Sequence, residues 1–241
     1  EIFFDPQTHT DRGLSFDTVI QGIHSALDDG KEKLGISSKL IMCFLRHLDE
    51  AAAFETLNQA LPYKNWIAGV GLDSSEMGHP PSKFERVFSK AREEGFLTVA
   101  HAGEDGPAEY VWEAINLLKV SRIDHGNQSL DDDQLIKHIA EKQIPLTVCP
   151  LSNLELKVVN DLKDHPLMKL MDAGIMVTIN SDDPAYFGGY INENYTCIAS
   201  ALNLSKKQIT QLAKNSIKSS FLPDGDKEKI IMKIEEYYNN N

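Results

Sequence analysis

Seven short apolar runs punctuate the chain: Ile2–Phe4, Leu40–Leu45, and residues 66–71, 96–100, 123–124, 145–149 and 175–179. Most show no polar alternation. A strand with one wet face alternates with period two, whereas a strand buried on both faces reads as a continuous apolar run. The runs therefore predict parallel strands. Between them lie segments of helical periodicity. Residues 15–34 place Val19, Ile23, Ala26 and Leu27 on one face. Residues 49–61 are alanine-rich behind a capping Asp49, and Ser82 with Glu85 has the spacing of a capping box for a helix that stops at Gly95. Gly106-Pro107 puts proline at the first turn of the next helix. Ser129, three residues ahead of Asp132, marks another start, and Gly174 closes a segment that begins at Pro166. Three more helices are predicted over 192–202, 205–220 and 226–238, the second opening on Ser205 and Gln208.

Strand–helix units of about 30 residues define a parallel βα architecture. The chain, residues 1–241, reads as one domain with no linker or repeat. A (β/α)₈ barrel needs eight strands and about 250 residues. Seven strands are visible, and the chain begins abruptly in a strand at Glu1-Ile2-Phe3-Phe4. The expectation is a (β/α)₈ TIM barrel that lacks its first strand and is incomplete at its N-terminus. A doubly wound open sheet competes, but no glycine-rich phosphate loop follows any strand. Polar residues cluster after strands along the whole chain instead, as on the catalytic face of a barrel.

Composition narrows the partners. A net charge of −12 argues against a nucleic-acid backbone, which selects a basic face. No apolar run has membrane-spanning length. Cys43, Cys149 and Cys197 are odd in number and widely spaced, which suits a reducing compartment and excludes a CxxC metal site. A reducing, cytoplasmic location is expected; whether the protein forms a homo-oligomer stays open.

Three strand ends carry the candidate chemistry. The run ending Val99-Ala100 stops at His101, and Glu104 follows across Gly103. An imidazole ligates zinc well, and a nearby carboxylate can shuttle protons. His125 ends Arg122-Ile123-Asp124, and Asp182-Asp183 end the run before Pro184. Each has a plainer alternative: a hydrogen-bonded core histidine for His101 and His125, a helix cap or turn for the two aspartates. Cys149, in Cys149-Pro150-Leu151-Ser152-Asn153, reads better as a buried structural thiol than as a nucleophile. Asp73-Ser74-Ser75-Glu76 is either pocket lining or a turn. His24, His138 and His165 are expected at the surface.

Taken in order, His101-Ala102-Gly103-Glu104, Arg122-Ile123-Asp124-His125-Gly126, Cys149-Pro150-Leu151-Ser152-Asn153 and Ser181-Asp182-Asp183-Pro184 resemble the adenosine/adenine deaminase family. The resemblance runs over almost the whole chain. It implies a zinc-containing barrel of the metal-dependent hydrolase type. It also implies roles: His101 and Asp182 as zinc ligands, Glu104 as the acid that protonates purine N1, His125 as the residue that positions the attacking water, and Asp183 as the partner of purine N7. Asp124, Asp105-Gly106-Pro107-Ala108-Glu109-Tyr110, Glu76 and the opening Glu1-Ile2-Phe3-Phe4-Asp5-Pro6-Gln7-Thr8-His9 are similar to the bacterial and fungal adenine deaminase branch, so adenine is the expected substrate. Adenosine deamination to inosine is the alternative within the class. A metal-free purine-binding or scaffold barrel is the alternative outside it.

One departure stands out. The family's first strand carries His-x-His, and no His-x-His occurs in these residues. With His101 and Asp182 alone, zinc would lack half of its protein ligands. Such a partial site is expected to bind zinc weakly, and whether these 241 residues are active by themselves stays open.

Overall fold

The computed structural model describes residues 1–240. Strands and helices alternate along the chain and the described strand pairings within each unit are parallel, the order of the (β/α) barrel that the sequence predicts. The chain divides into two compact units. The first comprises Glu1–His101 and Trp112–Ser121; the second comprises Ala102–Val111 and everything from Arg122 onward.

The first unit is built on β1 (Ile2–Phe4), β2 (Leu40–Leu45), β3 (Ile67–Asp73) and β4 (Leu97–Ala102), whose final residue counts with the second unit. Leu40 pairs with both Ile2 and Ile67, and the β2–β3 register shifts between Leu40 and Ile41. All six residues of β2 are buried, which is why its sequence shows no alternation. Helices Phe16–Leu34, Glu50–Ala60 and Glu85–Glu93 cover these strands with Ile20, Leu57, Val87 and Phe88, all buried. Phe44 of β2 meets Phe88 edge-on, with ring centroids 5.9 Å apart.

Two helix starts follow the sequence. Ser15 accepts from the Thr18 N–H, and Asp49 from the Ala52 N–H. The third does not. Pro80-Pro81 direct the chain into a 3₁₀ turn over Pro81–Phe84, so Ser82 lies inside that turn and its N–H donates to Glu113. The helix Glu85–Glu93 has no side-chain cap of its own. Glu50, from a different helix, accepts the N–H groups of Arg86 and Val87 at 2.9 and 3.0 Å. A carboxylate at a helix N-terminus satisfies orphan donors and opposes the positive end of the dipole, whichever segment supplies it.

The second unit is built on β5 (Arg122–His125), β6 (Leu146–Val148) and β7 (Val177–Ile179). Leu146 pairs with both Ile123 and Val177. Leu135 and Ile139 of helix Asp133–Lys142, Leu167 and Leu170 of Leu167–Asp172, and Leu212 of Lys206–Ser219 are buried in this unit. Asp132, rather than Ser129, caps Asp133–Lys142, accepting from Gln134 and Leu135. Ser129 is buried one turn earlier in the 3₁₀ segment Asn127–Asp131. The Ser205–Gln208 capping box is complete in both halves. Asn215, one turn from the end of that helix, donates to the Val177 carbonyl at 2.9 Å and ties the helix to β7. Among the described residues no helix is long and apolar enough to cross a membrane.

Close strand packing in the first unit depends on Gly71. A Cβ there would lie 2.5 Å from Cys43 Sγ and 3.3 Å from Val99 Cγ2, with both neighbours fully buried. Gly71→Ala is expected to destabilise the protein by about 1–3 kcal/mol through overpacking, read as a lower midpoint in urea unfolding at unchanged slope.

Candidate active site

The second unit gathers three of the predicted residues. His125 is the last residue of β5 and adopts φ 65°, and Gly126 follows at φ 76°. Asp182 adopts φ 54° just past β7. Left-handed backbone is uncommon outside glycine, though histidine and aspartate tolerate it better than most, and such residues concentrate at functional sites. In both places the chain leaves a buried strand and turns at once, which aims the side chain across the strand end.

Glu104 reaches the same place through a stitched turn. Gly103, at φ 72°, accepts the Gln128 N–H at 2.8 Å, and Gln128 Nε2 donates to the Glu104 carbonyl at 3.3 Å. A Cβ on Gly103 would lie 2.6 Å from Val111 Cγ2, so the turn needs glycine for space as well as for φ. The result is one imidazole between two carboxylates. Glu104 Oε1 stands 3.3 Å from His125 Nδ1, and Asp182 Oδ2 stands 4.0 Å from His125 Nε2. The His125 side chain is 3% exposed, and the two carboxylates are 18% and 19% exposed, open enough to meet a small molecule.

Cys149 completes the group: one ligand atom from each of His125, Cys149 and Asp182 lie within 4.8 Å of one another. The three atoms are close enough to share one ion, although sulfur binds a metal as the thiolate. Burial first, then the carboxylates of Asp182, Glu104 and Asp124, push the Cys149 thiol well above its usual pKa. It is a thiol at neutral pH, which removes it as a nucleophile. Asp183 is exposed and stands at the N-cap position of the short turn Pro184–Phe187. Its side chain makes no capping hydrogen bond; its main-chain carbonyl accepts from Tyr186 and Phe187 instead.

His101 belongs to the first unit, near the end of β4, with its ring centroid 5.8 Å from that of Phe3. Asp73 and Glu76 lie in the same unit. Glu76 is buried. Asp73 lies with Asp5 and Cys43, one ligand atom of each within 4.8 Å of the others. Burial, and then the hydrogen bond and charge of Asp5, hold the Asp73 carboxyl well above the usual carboxylate range.

Sequence reasoning misplaced one histidine. His165 is buried, not at the surface. Its Nδ1 accepts the Leu167 N–H at 3.1 Å, which leaves the proton on Nε2, 3.2 Å from Asn153 Oδ1. Asn153 Oδ1 also accepts from Asn127 Nδ2 at 2.9 Å. Asn127 and Asn153 follow the ends of β5 and β6, so this network braces two of the loops that carry the site. The presence of Ser152-Asn153 in a strand-end motif was the available signal; the His165 partner was not visible.

The comparisons with known proteins agree with one another. The adenosine deaminase family model matches residues 1–237. An adenine deaminase of Acinetobacter baylyi is 61% identical, over 98% of this chain and 71% of its own length. That of Hahella chejuensis is 55% identical, over 100% and 72%. Among solved structures, the adenine deaminase from Arthrobacter aurescens superposes with a TM-score of 0.96 at 45% identity, covering 99% of this chain and 73% of that one. An amidohydrolase from Burkholderia ambifaria with bound Zn superposes at 0.93 with 27% identity, covering 98% and 67%.

Burial lowers the His165 pKa from 6.5 to about 4. The unfolded chain therefore takes up this proton first as pH falls. The stability that neutral His165 contributes is complete above pH ~6.5, declines between ~6.5 and ~4, and amounts to about 3 kcal/mol. Denaturant unfolding of His165→Gln at pH 7 and pH 4.5 is expected to show a shallower loss of stability over that interval than the unsubstituted protein.

Proposed function

We propose that this chain, which belongs to the adenosine deaminase family, catalyses the hydrolytic deamination of adenine to hypoxanthine and ammonia. The observation that carries the reading is the high identity to adenine deaminases over nearly the whole chain. The arrangement of Glu104, His125 and Asp182 supports it, because deamination needs a proton donor and a proton acceptor around one attacking water. The whole-length family match supports one catalytic domain, and the free thiols Cys43, Cys149 and Cys197 fit the reducing cytoplasm.

Zinc is the proposed metal, supported by the amidohydrolase with bound Zn and by the donor types present. His101 and Asp182 are its proposed ligands in this chain. When bound, zinc supplies Lewis acidity and lowers the pKa of water to about 7. The remaining chemistry falls to the protein. The Glu104 carboxyl delivers a proton to purine N1, which draws electron density from C6. The His125 imidazole orients the water and takes its proton as oxygen bonds to C6. Asp183 holds N7 and fixes the plane of the base. The proton on His125 then passes to the amino group, the C6–N bond breaks and ammonia leaves, and the proton of the new C6 hydroxyl returns to the Glu104 carboxylate as the carbonyl of hypoxanthine forms. Glu104 at 3.3 Å from His125 Nδ1 places donor and acceptor side by side, so a proton can pass between them.

In the full-length protein, adenine is expected to lose its ultraviolet absorbance on turnover while adenosine is left unchanged; turnover of adenosine alone would falsify the reading. Glu104→Gln is expected to lower kcat by roughly 10²–10⁴-fold with zinc content unchanged, because it removes a proton donor and no ligand. Steady-state kinetics paired with metal analysis checks both halves.

A further inference from the structure

We propose that Arg46 is a positioning residue for His101, holding the peptide from which that imidazole projects; this rests on the metal-dependent reading above. Arg46 immediately follows β2 and has the largest fully buried side chain among the described residues. A buried guanidinium is costly unless its donors are used. Here two of them hold main-chain carbonyls. Nε donates to the His79 carbonyl at 2.8 Å, and Nη1 donates to the His101 carbonyl at 2.7 Å. The Glu76 carboxylate supplies the counter-charge, with Oε1 4.0 Å from Nη1 and its side chain 3% exposed. The Arg46 main chain is committed as well. Its N–H donates to the Asp73 carbonyl at 3.0 Å, and its carbonyl accepts from Lys83 Nζ at 3.0 Å.

One residue therefore ties together the end of β2, the end of β3 with the loop that follows it, and the end of β4, all within the first unit. The consequence falls on His101. Its peptide is pinned by a charge-assisted hydrogen bond, and its ring lies against Phe3 at an interplanar angle of 57°. The imidazole is thus ordered before any ion arrives, and the ion need not supply that ordering. Supports of this kind affect metal affinity without touching the metal. Lysine cannot replace the arginine. It presents a point charge rather than a planar fork and cannot hold two carbonyls in fixed directions. Glu76, read from the sequence as pocket lining or turn, is then the partner that keeps the guanidinium in place.

The test compares Arg46→Lys, Glu76→Gln and Glu104→Gln in the full-length protein, by zinc affinity in chelator competition and by melting of the zinc-stripped protein. Arg46→Lys is expected to weaken zinc binding roughly 10–100-fold while the stripped protein still melts cooperatively. Glu76→Gln, which leaves both carbonyl contacts in place, is expected to weaken it severalfold, and Glu104→Gln is expected to match the unsubstituted protein. Undiminished zinc affinity in a folded Arg46→Lys overturns the proposal. If stripped Arg46→Lys does not fold, Glu76→Gln decides: a severalfold loss supports the proposal and no loss overturns it. Unsubstituted protein that takes up no zinc overturns the functional reading itself, whereas normal uptake with Arg46→Lys unaffected overturns only the positioning role.

Discussion

A parallel strand buried on both faces has almost no room for polar side chains along its length, so its chemistry is displaced to its carboxyl end. β2 shows the constraint in full, with six residues buried and none polar. The same constraint explains the backbone at the site. A functional side chain just past a buried strand must turn away within one or two residues, and the left-handed conformations of His125, Gly126, Gly103 and Asp182 make those turns. The glycines are required where φ is positive and a Cβ would collide; histidine and aspartate take the same backbone where their side chains are needed.

Polar groups that do enter the interior carry their partners with them. Arg122, nearly buried, donates to the Ser219 carbonyl, lies over the Phe221 ring and stands 3.6 Å from Asp124 Oδ1. Asp124 in turn accepts from Thr147 across the β5–β6 pairing. Arg46 does the same for the strand ends of the first unit, and the Asn127–Asn153–His165 network for those of the second. In each case a buried donor or acceptor fixes backbone that has no regular ladder to hold it, since loops beyond strand ends lose the pairing that strands enjoy. The interior polar groups and the site are therefore linked: the former hold still the loops that present the latter.

The local features were legible. The seven apolar runs became seven strands, displaced by one or two residues, as for 66–71 against Ile67–Asp73. Ser15, Asp49 and the Ser205–Gln208 box capped the expected helices. Glu104, His125 and Asp182 came together as their positions at strand ends implied. The failures share a cause. Ser82 had the spacing of a cap, but the prolines before it imposed a 3₁₀ turn, and Glu50 took the role from 36 residues away. His165 looked like a surface residue before a proline, but Asn153, 12 residues earlier, offered it a buried acceptor.

The sequence by itself determined which segments are strands, where each ends, and which chemistry stands at those ends, because hydrophobic periodicity and the breakers that interrupt it act over a few neighbouring residues. The tertiary structure decided which polar groups satisfy one another: Glu50 on the Arg86 and Val87 amides, Arg46 on His79 and His101, Asn153 on Asn127 and His165. A buried hydrogen bond is set by which distant segment packing brings within 3 Å or so, and nothing in the spacing of either partner along the chain encodes that approach.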